Sequence, residues 1–137
     1  MKVSKKASYG LRALAGIARY PEGISAHALA EEERLPEDYL EKILQHLKRA
    51  GFVVSQKGVR GGYALAKPPE TITSWSIIET LDGGFKETPH PAFPGFSKHS
   101  PACPIMTHCQ TKNVWKQLED IVRNTLSKIT LADLGKQ

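Results

Sequence analysis

No stretch of this chain approaches the roughly 20 consecutive apolar residues that a membrane-spanning helix requires, which argues against a helical membrane protein. The basic opening Met1-Lys2-Val3-Ser4-Lys5-Lys6 is followed by neither a long apolar segment nor a small-residue cleavage site. A cytoplasmic protein without a signal peptide is therefore expected. Internal repeats and low-complexity tracts are absent. Cysteine is scarce, with Cys103 and Cys109 the only two. In a cytoplasmic protein two thiols six residues apart point to metal or redox chemistry before a structural disulfide, and they do not fit a Cys-x-x-Cys oxidoreductase. The chain also lacks a nucleophile–base arrangement, a phosphate-binding glycine loop and carboxylates paired for acid–base work. A thiol- or zinc-dependent enzyme is thus the remote alternative, and the expectation is a protein that is not an enzyme.

What is present is an ordinary globular composition, 40% hydrophobic and 24% charged, in a length that suits one compact domain plus an appendage. The net charge of +5 is confined to the first half. Residues 1–69 hold 12 Lys/Arg against 7 Asp/Glu, whereas residues 70–137 hold 7 of each. A polyanion would therefore bind the first half.

The apolar periodicity predicts a first helix over residues 4–20, with Tyr9, Leu11, Leu14, Ile17 and Ala18 as its stripe and Pro21 and Gly23 ending it. A short second helix starts at the N-cap Ser25 and runs to about residue 33, and Pro36 suits the first position of a third. Over residues 36–50 that third helix carries Leu40, Ile43, Leu44 and Leu47 on one face, with Tyr39 at its edge. Asp38, Glu41, Lys42, Gln45 and Arg49 fall on the other face, and Gly51 is placed to end the helix. Short helix, tight turn, longer helix is the outline of a helix-turn-helix. Two β-prone runs, 52–56 and 63–66, flank a glycine-rich basic turn and read as a hairpin, a wing. A fourth helix over 73–82 is capped by Thr73 and turns Trp75, Ile77, Ile78 and Leu81 inward. No periodicity follows until about residue 110, and a loop of that length is usually functional or disordered. From 110 to about 127 a long amphipathic helix returns. Its stripe of Val114, Leu118, Ile121 and Thr125, beside Trp115 and Val122, has to be buried, and the same helix of a second subunit is the expected cover. Thr130-Leu131-Ala132-Asp133 has capping-box form.

This pattern predicts which side chains would meet nucleic acid. Asp38, Glu41, Lys42, Gln45 and Arg49 would face base edges in a major groove. Lys57 and Arg60 on the wing suit a narrow minor groove, where the negative potential is greatest. Lys2, Ser4, Lys5 and Lys6 suit phosphates, which fix register without reading sequence. Cys103 and Cys109, with His99 and His108 beside them, leave four readings open: an iron–sulfur cluster, a disulfide switch, zinc, or the remnant of a lost site.

Residues 3–14, Val-Ser-Lys-Lys-Ala-Ser-Tyr-Gly-Leu-Arg-Ala-Leu, resemble the start of the IscR/NsrR-type winged-helix regulators, the Rrf-two family. So do Leu35-Pro36-Glu37-Asp38-Tyr39-Leu40-Glu41-Lys42-Ile43-Leu44, the wing Lys57-Gly58-Val59-Arg60-Gly61-Gly62-Tyr63, and Cys103-x5-Cys109 followed by Val114-Trp115. The likeness extends to Ile129-Thr130-Leu131-Ala132-Asp133-Leu134 near the end, in the family's order throughout. It implies a homodimeric transcription regulator on a palindromic operator in double-stranded DNA, with the position of Glu41 taking part in base discrimination. Many members hold an iron–sulfur cluster on three cysteines at spacing x5 and x5, some with a histidine three residues after the last. Cysteine-metabolism members carry none and answer to a protein partner. In this chain the first cysteine position is Ser97 and the histidine position is Lys112.

The expected fold is mainly α with a small β-hairpin wing, a winged helix-turn-helix joined to a long C-terminal dimerisation helix. Residues 1–84 would bind DNA, 85–109 would form a cysteine-bearing sensor loop, and 110–137 would supply the dimerisation helix and a C-terminal segment. The expected function is a homodimeric regulator, a repressor or an activator, modulated by a cluster ([2Fe–2S] ahead of [4Fe–4S]) or by thiol redox state. The alternative is a cluster-free member controlled by a protein partner or small ligand.

Overall fold

The structure, a computed structural model, describes residues 3–58, 61–83 and 112–136. The expected sensor segment 85–109, with Cys103, Cys109, His99 and His108, lies outside the described residues, as do Lys2 and Arg60. Among the described residues no helix is long and apolar enough to cross a membrane.

Helix α1 (Lys5–Ile17) is the hub. It packs against the second, third, fourth and last helices and against the second strand of the wing. Its N-cap Ser4 accepts a bond from the Ala7 N–H at 3.0 Å. The Ser4 backbone N–H donates to the Asp82 carboxylate at 3.0 Å, and the Ser4 hydroxyl donates to the same group. The start of α1 is thereby tied to the end of α4 (Ser74–Asp82), 78 residues away in sequence. The buried face of α1 differs from the expected stripe. It is built largely of small residues, Ala7, Gly10, Ala13 and Gly16, together with Leu14 and Ile17, while Tyr9, Leu11 and Ala18 are only half-buried. Close approach is the reason: a Cβ on Gly10 would stand 2.1 Å from Leu81 of α4.

Helix α2 (Ala26–Glu33) begins on Ser25, whose side chain accepts from Ala28 N–H at 3.1 Å. It ends on Arg34, in the left-handed conformation at φ 50° and ψ 51°, and Leu35 N–H closes back to Ala30 C=O at 2.9 Å. This is the tight turn of the helix-turn-helix, made without glycine. Helix α3 spans Glu37–Arg49. Pro36 is its N-cap and not its first helical residue, because its ψ of 119° is extended while its carbonyl already accepts from Leu40 N–H. Glu37 and Asp38 in the first turn and Lys48 and Arg49 in the last complement the helix dipole. Across the turn, His27 Nδ1–H donates to the Glu37 carboxylate at 2.9 Å, and that bond raises the His27 pKa above its ordinary value.

Gly51, at φ 79°, lets the chain reverse out of α3, with Phe52 N–H on Leu47 C=O at 2.9 Å. Strands β1 (Val53–Gln56) and β2 (Gly62–Leu65) pair antiparallel, from Val53 opposite Leu65 to Gln56 opposite Gly62. The wing is clipped to the α1–α2 connection by a reciprocal pair of bonds, Ile24 N–H to Tyr63 C=O at 3.0 Å and Tyr63 N–H to Ile24 C=O at 2.8 Å. Only glycine tolerates the adjacent position, since a Cβ on Gly62 would lie 2.2 Å from the Ile24 carbonyl oxygen.

A short 3-10 turn, Pro69–Thr71, leads to α4, capped by Thr73 as expected. Helix α5 (Lys112–Leu126) and the short α6 (Leu131–Leu134) complete the described chain. Thr130 and Asp133 form the anticipated reciprocal capping box. The short helix α6 packs back on the winged-helix core. Leu131 is 1% exposed and its N–H bonds Ile72 C=O at 2.9 Å, while Ser74 N–H bonds Ile129 C=O at 2.8 Å. Burying the Leu131 side chain against the α1–α4 core draws the segment back.

The turn at Arg34 generates a test. A left-handed non-glycine residue costs about 1 kcal/mol in its clash with the following carbonyl. Arg34→Gly is expected to raise the unfolding free energy in urea by about that amount. A loss of stability would contradict the conformation described.

Candidate nucleic-acid interface

The face presented to solvent by α3 follows from what its other face buries. Leu40, Ile43, Leu44 and Leu47 are each 0% exposed, so at 3.6 residues per turn the remaining positions project outward. Asp38, Glu41, Lys42, Gln45 and Arg49 are all exposed, and the first four line one shallow, open hollow. The exposed face is acidic at its start and basic at its end, so it is not a uniform cationic surface.

Gln45 is the member held by another element. Its Nε2 donates to the Tyr63 hydroxyl at 3.1 Å, joining the outward face of α3 to strand β2. Lys57 is exposed at the end of the wing, while Arg60 lies outside the described residues. Lys5 is exposed and Lys6 half-buried on the first turn of α1. Ser4 stands with them in sequence, but its hydroxyl is committed to Asp82 and to the Ala7 N–H. It positions the lysines by fixing the helix start.

Two residues of this surface escaped the sequence reading. His46 is half-buried beside the exposed face, and burial, followed by the nearby charges of Lys6 and Arg49, lowers its pKa below the ordinary imidazole value. Lys6 and Arg49 form a cationic edge between α1 and α3, and beside it the His46 imidazole is held toward its neutral form. Its spacing four residues from Lys42 and three from Arg49 was the available signal. Tyr63 was read only as the far end of the wing. Its reach to Gln45 depends on how the hairpin folds back over α3, which no local spacing encodes.

Helix α5 divides its two faces sharply. Glu119 is buried at 6% exposure and bonded to Arg123 one turn on, and the Arg123 guanidinium lies 5.3 Å from the Trp75 ring centroid of α4. Elsewhere on the helix Val114 is 58% and Ile121 62% exposed, with Leu118 and Thr125 also exposed and Val122 half-buried. The side chain of Trp115 is outside the described part. Among the described residues no group of three or more His, Cys, Asp or Glu is arranged to hold a metal ion.

This architecture has known counterparts. Residues 3–137 match the Rrf2 family, described as "Iron-dependent Transcriptional regulator". A Synechocystis protein provisionally designated an HTH-type transcriptional regulator is 37% identical over 136 residues, covering 98% of this chain and 87% of the relative. The solved structure of T. potens IscR is similar with a TM-score of 0.77 at 34% identity, over 99% of this chain and 87% of that one. The oxidized form of Staphylococcus aureus CymR is similar with a TM-score of 0.74 at 33% identity, over 100% and 98% of the two chains. The chain therefore belongs to the Rrf2 family of bacterial transcriptional regulators, a family of regulators and not of enzymes.

Proposed function

We propose that the protein is a homodimer that reads a palindromic operator with one α3 per subunit. One observation carries this reading: the polar face of α3 stands clear of the core while the wing is clipped beside it. A helix about 10–12 Å across fits a major groove about 12 Å wide. In that groove Asp38 and Glu41 repel phosphates but accept from cytosine N4, so they favour base edges over backbone. Lys42, Gln45 and Arg49 donate to bases or flanking phosphates, and Lys57 and Arg60 enter the adjacent minor groove. Lys2, Lys5 and Lys6 hold backbone phosphates from the start of α1. The open stripe of Val114, Leu118, Ile121 and Thr125, with Trp115 and Val122 beside it, packs on its twin in the second subunit. That places the two α3 helices on successive major grooves about 34–36 Å apart. In this division residues 1–84 read DNA, 85–109 sense, and 110–126 dimerise, with α6 returning to the reading head.

For sensing, the donor set decides. One chain supplies two thiolates, Cys103 and Cys109, with Ser97 and Lys112 at the other two positions of the cluster-binding pattern. A hydroxyl and an ammonium do not replace soft donors, so the family's pattern of three cysteines and one histidine is not met at its own positions in this chain. We take the redox state of the two thiols as the signal, a reading supported by the relative solved in an oxidized form. A cluster completed by His99, His108 or the partner subunit is the second reading, favoured by the iron-dependent description of the family. Either signal acts only through a difference in stability between DNA-competent and DNA-incompetent states.

Two outcomes are expected. In fluorescence anisotropy with duplex DNA, log affinity falls linearly with log salt, and Lys5→Gln flattens the slope by about 0.9 while weakening every sequence alike. Salt-independent binding, or a Lys5→Gln slope equal to the wild type, contradicts the phosphate role. Affinity for DNA also differs between dithiothreitol and diamide in the wild type and is equal in the double variant Cys103→Ser, Cys109→Ser. Redox-independent wild-type affinity refutes the thiol signal. Stoichiometric iron and sulfide in anaerobic wild-type protein, measured beside Ser97→Cys, transfers the role to a cluster.

A further inference from the structure

The Gln45–Tyr63 bond does more than join two elements. Gln45 is exposed on the outward face of α3, where a glutamine side chain ordinarily samples many rotamers. Tyr63 is the opposite kind of residue. Its backbone is held on both sides by the reciprocal bonds to Ile24, it pairs with Ser55 across the hairpin, and its ring is half-buried against the core. The phenol oxygen is therefore a fixed point beside a mobile amide. With one Nε2 hydrogen donated to Tyr63 at 3.1 Å, the carboxamide has one N–H donor and the Oε1 acceptor left.

We infer that Tyr63 is a positioning residue that holds the Gln45 carboxamide in place to read adenine, an assignment that rests on the DNA-reading face proposed above. In the major groove adenine alone offers an acceptor, N7, beside a donor, N6–H2, which the remaining Gln45 N–H and Oε1 match together. Guanine presents two acceptors, N7 and O6, and would leave Oε1 against a lone pair. Cytosine and thymine each satisfy only one of the two groups. Fixing the amide beforehand removes the ordering cost that a loose glutamine meets on binding, a difference of roughly threefold to tenfold in affinity for the matched base. Without the tyrosine hydroxyl the carboxamide is free to sample its other rotamers.

The experiment selects binding sites from a library of randomised duplexes with the full-length protein, and compares the wild type, Gln45→Ala, Tyr63→Phe and the double variant. Tyr63→Phe keeps the ring and the Ile24 clip, and Gln45→Ala lies on an exposed helix face, with melting curves confirming that each folds. The wild type is expected to prefer adenine at one position in each half-site. Gln45→Ala abolishes that preference, by on the order of tenfold or more. Tyr63→Phe weakens it by roughly threefold to tenfold, leaving other positions and the salt dependence unchanged, and the double variant matches Gln45→Ala. A Tyr63→Phe profile identical to the wild type, an even loss of affinity at every position, or a Gln45-dependent base other than adenine overturns the inference alone. Failure of the wild type to bind any duplex overturns the DNA reading and this inference with it.

Discussion

Burial of one face of α3 is the constraint on which the rest of the molecule depends. Leu40, Ile43, Leu44 and Leu47 are wholly removed from solvent, and each side chain contributes about 1.5–3 kcal/mol on burial. Together that matches the net stability of a whole domain, about 5–15 kcal/mol. The rotation of α3 about its own axis is therefore fixed by its apolar side. Which side chains are offered to a ligand follows as a geometric remainder. Loss of the buried face would leave the outer five residues with no common surface, however well suited each is to DNA.

Among the described residues, the long-range polar clips include Ser4 to Asp82, Ile24 to Tyr63, and Ile72 to Leu131. Each joins segments remote in sequence and satisfies groups at the end of a helix or strand, where donors and acceptors are otherwise left over. The more conspicuous charges on the outside contribute less. Arg19 pairs with both Glu32 and Glu33 at 3.0 and 2.9 Å, but it is exposed, and such pairs are worth about 0–1 kcal/mol. Their placement on α1, on α2 and in the turn that follows α1 keeps five charged groups, counting Arg12 and Glu31, engaged with one another or their surroundings away from the outer face of α3.

Much of this was legible in the chain because local chemistry determines it. The α3 stripe repeats at helical spacing, Ser25 and Thr73 are strong caps, Gly51 sits where the helix must reverse, and Thr130 with Asp133 spells a capping box. Features that depend on tertiary approach were not legible. The buried face of α1 is made of alanine and glycine, which a hydrophobicity pattern does not mark, so Tyr9 and Leu11 stood out instead. Pro36 was placed one position too deep, because its ring constrains φ while its role depends on ψ. The return of α6 to Ile72, the cationic edge beside His46 and the reach of Tyr63 to Gln45 all require knowing which elements meet. The resemblance to a regulator family named the architecture but did not supply those contacts.

The DNA-reading role of α3 is tested most directly by where this protein touches a duplex. Titrating isotope-labelled protein with a short mixed-sequence DNA duplex, and following backbone and side-chain resonances by NMR, locates that surface residue by residue. Shifts concentrated at Asp38, Glu41, Lys42, Gln45 and Lys57, with Val114, Leu118 and Ile121 unmoved, are predicted. Perturbation of α5 with α3 silent would contradict it.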